Sequence, residues 1–148
     1  MAHQIATLLD LPPFEQVGIV VPDMDAALAL YRPLFGEFVR IDSFVEDALY
    51  RGELASSEFK LAFARSGEIE IELIQWQAGP SPHKEFIDSG RHGVHHFRFR
   101  VDNLDDKLVE AEAVGYQVVW HKRLDQATAF AYIERPDDPL LIELLEMA

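Results

Sequence analysis

FEQVGIVVPDMDAALALYRPLFGEFV at residues 14–39 and VHHFRFRVDNLDDKLVEAEAVGYQVV at residues 94–119 follow one grammar. Each opens with a β-branched or aromatic run and passes a turn carrying Asp or Asn. Each then places apolar residues at helical spacing and stops at a glycine, Gly36 or Gly115. These are the signals of a strand, a capped helix and a helix stop. IELIQ at 71–75 and IELLE at 142–146 repeat as well. Self-similarity over so long a period decides architecture before any single motif does.

Working outward from the first copy, Val17–Val21 reads as a strand and Asp23 or Asp25 as the cap of a helix over Met24 to Phe35. Ala27, Leu30, Tyr31 and Leu34 recur at i, i+3, i+4 and i+7 as its apolar face, and Pro33 limits its last turn. Phe38–Phe44, Phe59–Ala64 and Ile69–Ile74 are three further strands. Residues 78–93 form a connector with Gly79-Pro80-Ser81-Pro82 and a short helix around His83–Asp88. The second copy gives a strand at His96–Val101, a helix at Asn103–Val114, and strands at Tyr116–His121, Ala129–Glu134 and Leu140–Leu145.

The fold class is therefore α+β. Two tandem βαβββ modules form a curved eight-stranded sheet, expected to be open, with helices on the outer face and a groove on the inner one. Residues 1–13 read as an N-terminal arm and 14–148 as one domain: module one at 14–77, the connector at 78–93 and module two at 94–146.

A chain of 148 residues, 49% of them hydrophobic, has the material for one ordinary core. Its 26 acids against 13 bases, a net charge of −13, repel phosphate backbones and anionic lipid, which argues against nucleic acid and membrane as partners. No apolar run approaches the roughly 20 residues a spanning helix needs, and the start lacks the marks of a leader, so a cytoplasmic protein is expected. Without cysteine, any metal must be held by nitrogen and oxygen.

Such ligands fall at matched places. Gln16 and His96 begin the first strand of each module, and Glu72 and Glu143 lie in the last. Alternation sets Gln16 opposite Val17, Ile19 and Val21, His96 opposite Phe97, Phe99 and Val101, Glu72 opposite Ile71 and Leu73, and Glu143 opposite Ile142 and Leu144. All four then face the groove. An imidazole, an amide oxygen and two carboxylates suit a hard or borderline divalent cation, with positions left for water or substrate. Each residue alone means little, since a strand glutamate is ordinarily a solvated face residue; the weight lies in four suitable types at related positions.

Arg98 and Arg100 share the His96 face and are candidate anchors for a substrate carboxylate or phosphate; the alternative is an internal ion pair with Glu70. His95 is expected to point opposite to His96, toward the helices, in a structural role. His3, His83, His92 and His121 lie in a tail, loops or a strand end without ligand spacing. No Gly-rich phosphate loop or serine nucleophile signature is present.

HHFRFRVDNLD, VGIVVPDMDAALALY, IELIQ and IELLE resemble the vicinal oxygen chelate superfamily of glyoxalases, methylmalonyl-CoA epimerases and dioxygenases over about residues 14–146. The resemblance implies one divalent metal ion (Ni, Co, Zn, Mn or Fe) on Gln16, Glu72, His96 and Glu143, a small-molecule substrate and a homodimer. It also implies chemistry in which the metal makes a C–H beside a carbonyl acidic and stabilises the resulting anion. The Gln, Glu, His, Glu set fits glyoxalase I, whereas epimerases more often show His, Gln, His, Glu. The connector and GVHHFRFRVDNLD are epimerase-like, and the Asn-Trp element that follows the glyoxalase glutamate is missing. Gln16 argues against ring-cleaving dioxygenases, which use two histidines and one glutamate.

The reading that follows is an epimerase or isomerase acting on an α-substituted carbonyl or thioester compound. A glyoxalase I-like lyase is the alternative, and a non-catalytic resistance-type binding protein a third possibility. Aligned by its apolar residues, FKLAFA places Lys60 where epimerases carry a catalytic glutamate. Lys60 is thus a candidate base or substrate anchor, beside Glu143 as preferred base and Glu72 as second.

Overall fold

The computed structural model describes residues 9–147; His3 and the rest of residues 1–8 lie outside the described residues, as does residue 148. Within them the order is β1 (Gln16–Val20), α1 (Met24–Phe35), β2 (Val39–Tyr50), β3 (Glu53–Ser66), β4 (Ile69–Ala78), α2 (Pro82–Asp88), β5 (Gly93–Val101), α3 (Leu104–Ala113), β6 (Gln117–Arg123), β7 (Thr128–Arg135) and β8 (Asp138–Met147).

The helices start where their caps dictate. Asp23 accepts from the Ala26 amide at 3.0 Å and Asn103 from the Asp106 amide at 3.0 Å. The repeated IELIQ and IELLE segments finish the work: Gln75 Oε1 accepts from the Met24 amide at 2.6 Å and Glu146 Oε1 from the Leu104 amide at 2.8 Å. The last letter of each repeat thus satisfies a helix N-terminus while the glutamate before it faces inward.

β2 and β3 run further than their apolar residues suggest. Arg51 (φ 49°) and Gly52 (φ 88°) make a tight turn with positive φ at both central positions, which suits a two-residue hairpin and carries the ladder to its tip. Polar residues around Glu46 and Asp47 conceal this from the sequence.

The strands are ordered β1-β4-β3-β2-β6-β7-β8-β5, with β5 returning to β1. The sheet is curved and eight-stranded with its helices outside. Its edges meet, however: Leu49 and Tyr50 of β2 pair with His121 and Trp120 of β6, and the expected open groove is a closed barrel. Two outer clusters bury the helices, one around Met24, Leu28, Ala62 and Leu73 under α1, the other around Leu104, Ala111, Ala131 and Leu144 under α3. Leu9 and Leu11 pack against the second, where Lys107 donates to the Leu9 carbonyl at 2.5 Å. A third cluster, with Phe59, Ile74, Phe86, Trp120 and Tyr132, fills the space between the modules.

The buried face of α1 differs from expectation. Met24, Ala27 and Leu28 are buried with Tyr31 and Phe35 half-buried, while Leu30 and Leu34 are exposed. Apolar residues surround this helix, so their spacing admits two stripes, and the short turn from β1 into Met24 selects the one that meets the sheet.

Candidate metal centre

Four adjacent strands, β4, β1, β5 and β8, carry the predicted residues, and their register shows why these meet. Gln16 pairs with Arg98 and Gly18 with His96 across β1 and β5; Gly18 pairs with Glu72, and Arg98 with Glu143. Exchanging the modules turns each relation into its counterpart. The repeat therefore becomes a local two-fold arrangement that brings Gln16 against His96 and Glu72 against Glu143 across one centre.

At that centre His96 Nε2 lies 3.1 Å from Gln16 Oε1, 3.2 Å from Glu143 Oε1 and 3.6 Å from Glu72 Oε1. Two adjacent donors that each sit about 2.1 Å from one ion are about 3.0–3.4 Å apart, close to these separations. Gln16 is oriented by its other end, since Nε2 donates to Glu70 Oε1 at 2.7 Å and leaves the amide oxygen to face His96. Gly18 makes the room: a β-carbon there would lie 2.1 Å from His96 Cε1.

The electrostatics also fit a cation. The Glu72 side chain is 12% exposed, and burial first, then the neighbouring Glu143 charge, push its pKa up to about 8 against the opposing pull of Arg98. Two acids and an amide oxygen held around one imidazole nitrogen are a charge and donor set that a divalent ion would complete.

A cavity of ≈140 Å³ opens beside the carboxylates. Phe59, Trp120, Phe130 and Tyr132 wall it, and Glu72, Glu143 and Arg98 supply its polar side. Arg98 lies 3.7 Å from Glu15 and 3.6 Å from Glu70, so it is both an internal ion-pair partner and a lining residue. Arg100 is bound by Glu15 at 2.9 and 3.2 Å and does not line the cavity.

Lys60 does not join the others. It follows Ala62 and Ala64 on the outer face of β3, opposite Asp42 and Gln75, beside a surface cleft with Phe44 and Gln77. FKLAFA is apolar on both faces, so the sequence could not tell which side was inward.

Alternation also fails at His95. Gly18 pairs with His96 but Ile19 pairs with Val94, which leaves His95 as the extra residue of a β-bulge. The His95 and His96 rings, expected on opposite faces, instead approach to 5.4 Å between centroids and 3.1 Å between their Nδ1 atoms. His83, at the start of the expected connector helix and expected to have no part in the site, is fully buried in α2. It stacks on His95 at 4.7 Å, and its Nε2 lies 3.3 Å from the Tyr132 hydroxyl. Burial lowers the pKa of both His83 and His95, so each is neutral. Tyr132 keeps its proton, because burial and the Glu143 and Glu72 charges raise its pKa well above 10.

His83, His95 and His96 offer nitrogens within 4.8 Å of one another, close enough to share an ion. The set around His96 Nε2 is the better fit, because stacked rings do not aim their in-plane lone pairs at one point and three neutral imidazoles leave a cation's charge unbalanced. Sequence reasoning missed Tyr132 and His83. Counting across the β7–β8 hairpin from Glu143, the partner of Tyr132, places Tyr132 on the inner face; no local signal marks His83.

Residues 15–132 match the Glyoxalase/Bleomycin resistance protein/Dioxygenase superfamily. The chain belongs to that superfamily. No curated protein sequence matches it. Among solved structures, methylmalonyl-CoA epimerase from Mycobacterium tuberculosis is similar with a TM-score of 0.65 and 24% identity, over 93% of this chain and 89% of that one. A hypothetical protein from Bacillus halodurans C-125 is similar with a TM-score of 0.64 and 23% identity, over 91% and 94%. A Streptomyces coelicolor methylmalonyl-CoA epimerase variant in complex with 2-nitronate-propionyl-CoA gives 0.58 and 20%, over 93% and 99%. At these identities the likeness to the solved structures shows a shared fold. Among the described residues no helix is long and apolar enough to cross a membrane.

Proposed function

We propose that this chain is a metal-dependent proton-transfer enzyme of epimerase or isomerase type, acting on an α-substituted carbonyl or thioester compound. What supports the reading is the convergence of three side-chain oxygens on His96 Nε2 beside a cavity that both carboxylates line. Gln16, Glu72, His96 and Glu143 would hold the cation, with nickel, cobalt, zinc, manganese and iron all compatible with such donors. When bound, it would polarise a substrate carbonyl oxygen and make the adjacent C–H more acidic.

The chain's own residues divide the remaining work. Glu143, released when substrate takes its place, would be the base of this reading and Glu72 the second choice, since both reach the cavity. The aromatic wall keeps water from the exchanging carbon. Tyr132, with its proton firmly held, serves as a hydrogen-bond donor, and Arg98 meets an anionic substituent. The cavity admits only a compact reacting group, so a larger carrier would extend from its mouth. A homodimer is the proposed assembly, and it could cover the exposed Leu30 and Leu34.

The two glutamates in the donor set favour a second reading, a glyoxalase I-like lyase. Metal analysis of the purified protein, joined to α-proton exchange on acyl-CoA esters and turnover of hemithioacetals, separates the possibilities. One equivalent of metal with α-exchange supports the epimerase reading, and hemithioacetal turnover the lyase. Tight ligand binding with neither metal nor turnover leaves a resistance-type binding protein.

A further inference from the structure

The Nδ1 atoms of His95 and His96 face each other at 3.1 Å, both rings fully buried. One hydrogen fits between them. If both nitrogens carried a proton the two N–H groups would collide, and if neither did, two lone pairs would oppose each other. Whenever both rings are neutral their tautomers are therefore tied together: a proton on Nδ1 of one requires the other to carry its proton on Nε2.

His96 must offer a bare Nε2 to a cation, so its own proton must sit on Nδ1 and be donated to Nδ1 of His95. Whatever holds the His95 ring against His96 thus prepares His96. That grip comes from the connector helix. His83 stacks on His95 with ring centroids 4.7 Å apart, and Phe86 meets it edge-on at 5.1 Å. Nε2 of His95 is buried with no hydrogen-bond partner among the described residues, so packing against α2 is what holds the ring. Arg51 fastens the same helix to the β2–β3 turn through Glu85 at 2.7 and 2.8 Å.

We propose that His95 is a positioning residue which, held against His96 by its packing on His83 and Phe86 of α2, fixes the tautomer of His96 and so sets the cation affinity of the centre. The proposal rests on the reading of His96 as a ligand. It assigns the β5 bulge a purpose, since only an irregular strand can bring the rings of two consecutive residues together. A histidine ligand that loses the partner of its second nitrogen commonly loses about 10–100-fold in metal affinity.

The test uses the full chain, Zn²⁺ titration and long-range ¹⁵N–¹H spectra of the histidine rings. His95→Ala, checked for folding by circular dichroism, should weaken Zn²⁺ binding about 10–100-fold. His95→Asn, whose side-chain carbonyl stands near the position of Nδ1, should recover most of that loss. In the Zn²⁺-loaded wild type the His95 proton should lie on Nε2 and the His96 proton on Nδ1. Wild-type affinity in folded His95→Ala, or a His95 proton on Nδ1 in the loaded protein, overturns the proposal. Should the wild type bind no cation, the metal reading fails separately. The metal-free spectrum then decides the coupling itself: complementary neutral tautomers sustain it, and matching ones overturn it.

Discussion

Gly18 lies directly beneath His96, so close that a β-carbon at position 18 would stand 2.1 Å from Cε1 of the imidazole. The two are cross-strand partners in β1 and β5, and the missing side chain of one is the space occupied by the ring of the other. Gly18→Ala should therefore displace the ring, cost about 1–3 kcal/mol of stability by overpacking, and abolish tight cation binding. Thermal denaturation and metal titration on the same preparation check both effects. Unaltered binding would mean that the ring is not a ligand in this position.

The donor set makes a graded expectation. His96→Ala should weaken metal binding more than about 100-fold, beyond the range typical of outer-shell partners. Glu72→Gln and Glu143→Gln each remove one balancing charge and should lower affinity strongly, whereas Gln16→Ala removes a neutral donor and should cost least. Elemental analysis after dialysis orders the variants. An equal, full complement in all four would place the metal elsewhere, with His83 and His95 as the first residues to examine.

Glu72 gives the metal-free protein a pH dependence of defined sign. Its folded pKa, raised to about 8 from 4.5, means that between those values the native state holds a proton the unfolded chain has released. Stability is then greatest at and below the lower value and falls as pH rises toward 8. The Tm of metal-free protein should drop across this window from this group, and Glu72→Gln should remove that contribution. A divalent cation should restore more stability at the upper end than at the lower, because there it no longer competes with the proton. A Glu72→Gln variant with the wild-type slope would contradict the assignment.

Lys60→Ala should leave metal content, kcat and KM unchanged, because Lys60 lies on the outer face of β3 beside Asp42 and Gln75. A fall in kcat with metal intact would return it to the site.

Arg98→Ala, by contrast, should raise KM for an anionic substrate by about 10–100-fold, as loss of a charge-assisted hydrogen bond does. Metal content should persist. A substrate lacking the anionic group should show no such penalty, and an equal effect on both would reduce Arg98 to its ion pairs with Glu15 and Glu70.

The repeat of 14–39 in 94–119, with IELIQ and IELLE, determined the two modules, the strand and helix order and the four polar residues at the centre. It could do so because alternation and helical period are local, and a duplicated chain places equivalent residues about an axis without further information. Gln16, Glu72, His96 and Glu143 each follow from the face on which their own apolar neighbours lie. The tertiary structure decided what depends on pairing between distant segments. The closure of β2 onto β6 rests on two residue pairs that no sequence period marks. The inward turn of His95 depends on a bulge, and a one-residue slip in register reverses the face of a side chain. The same holds for Lys60, whose strand is apolar on both sides, and for His83, buried only because α2 docks against β1 and β4. Local chemistry chose the candidate ligands, whereas register and docking chose their neighbours.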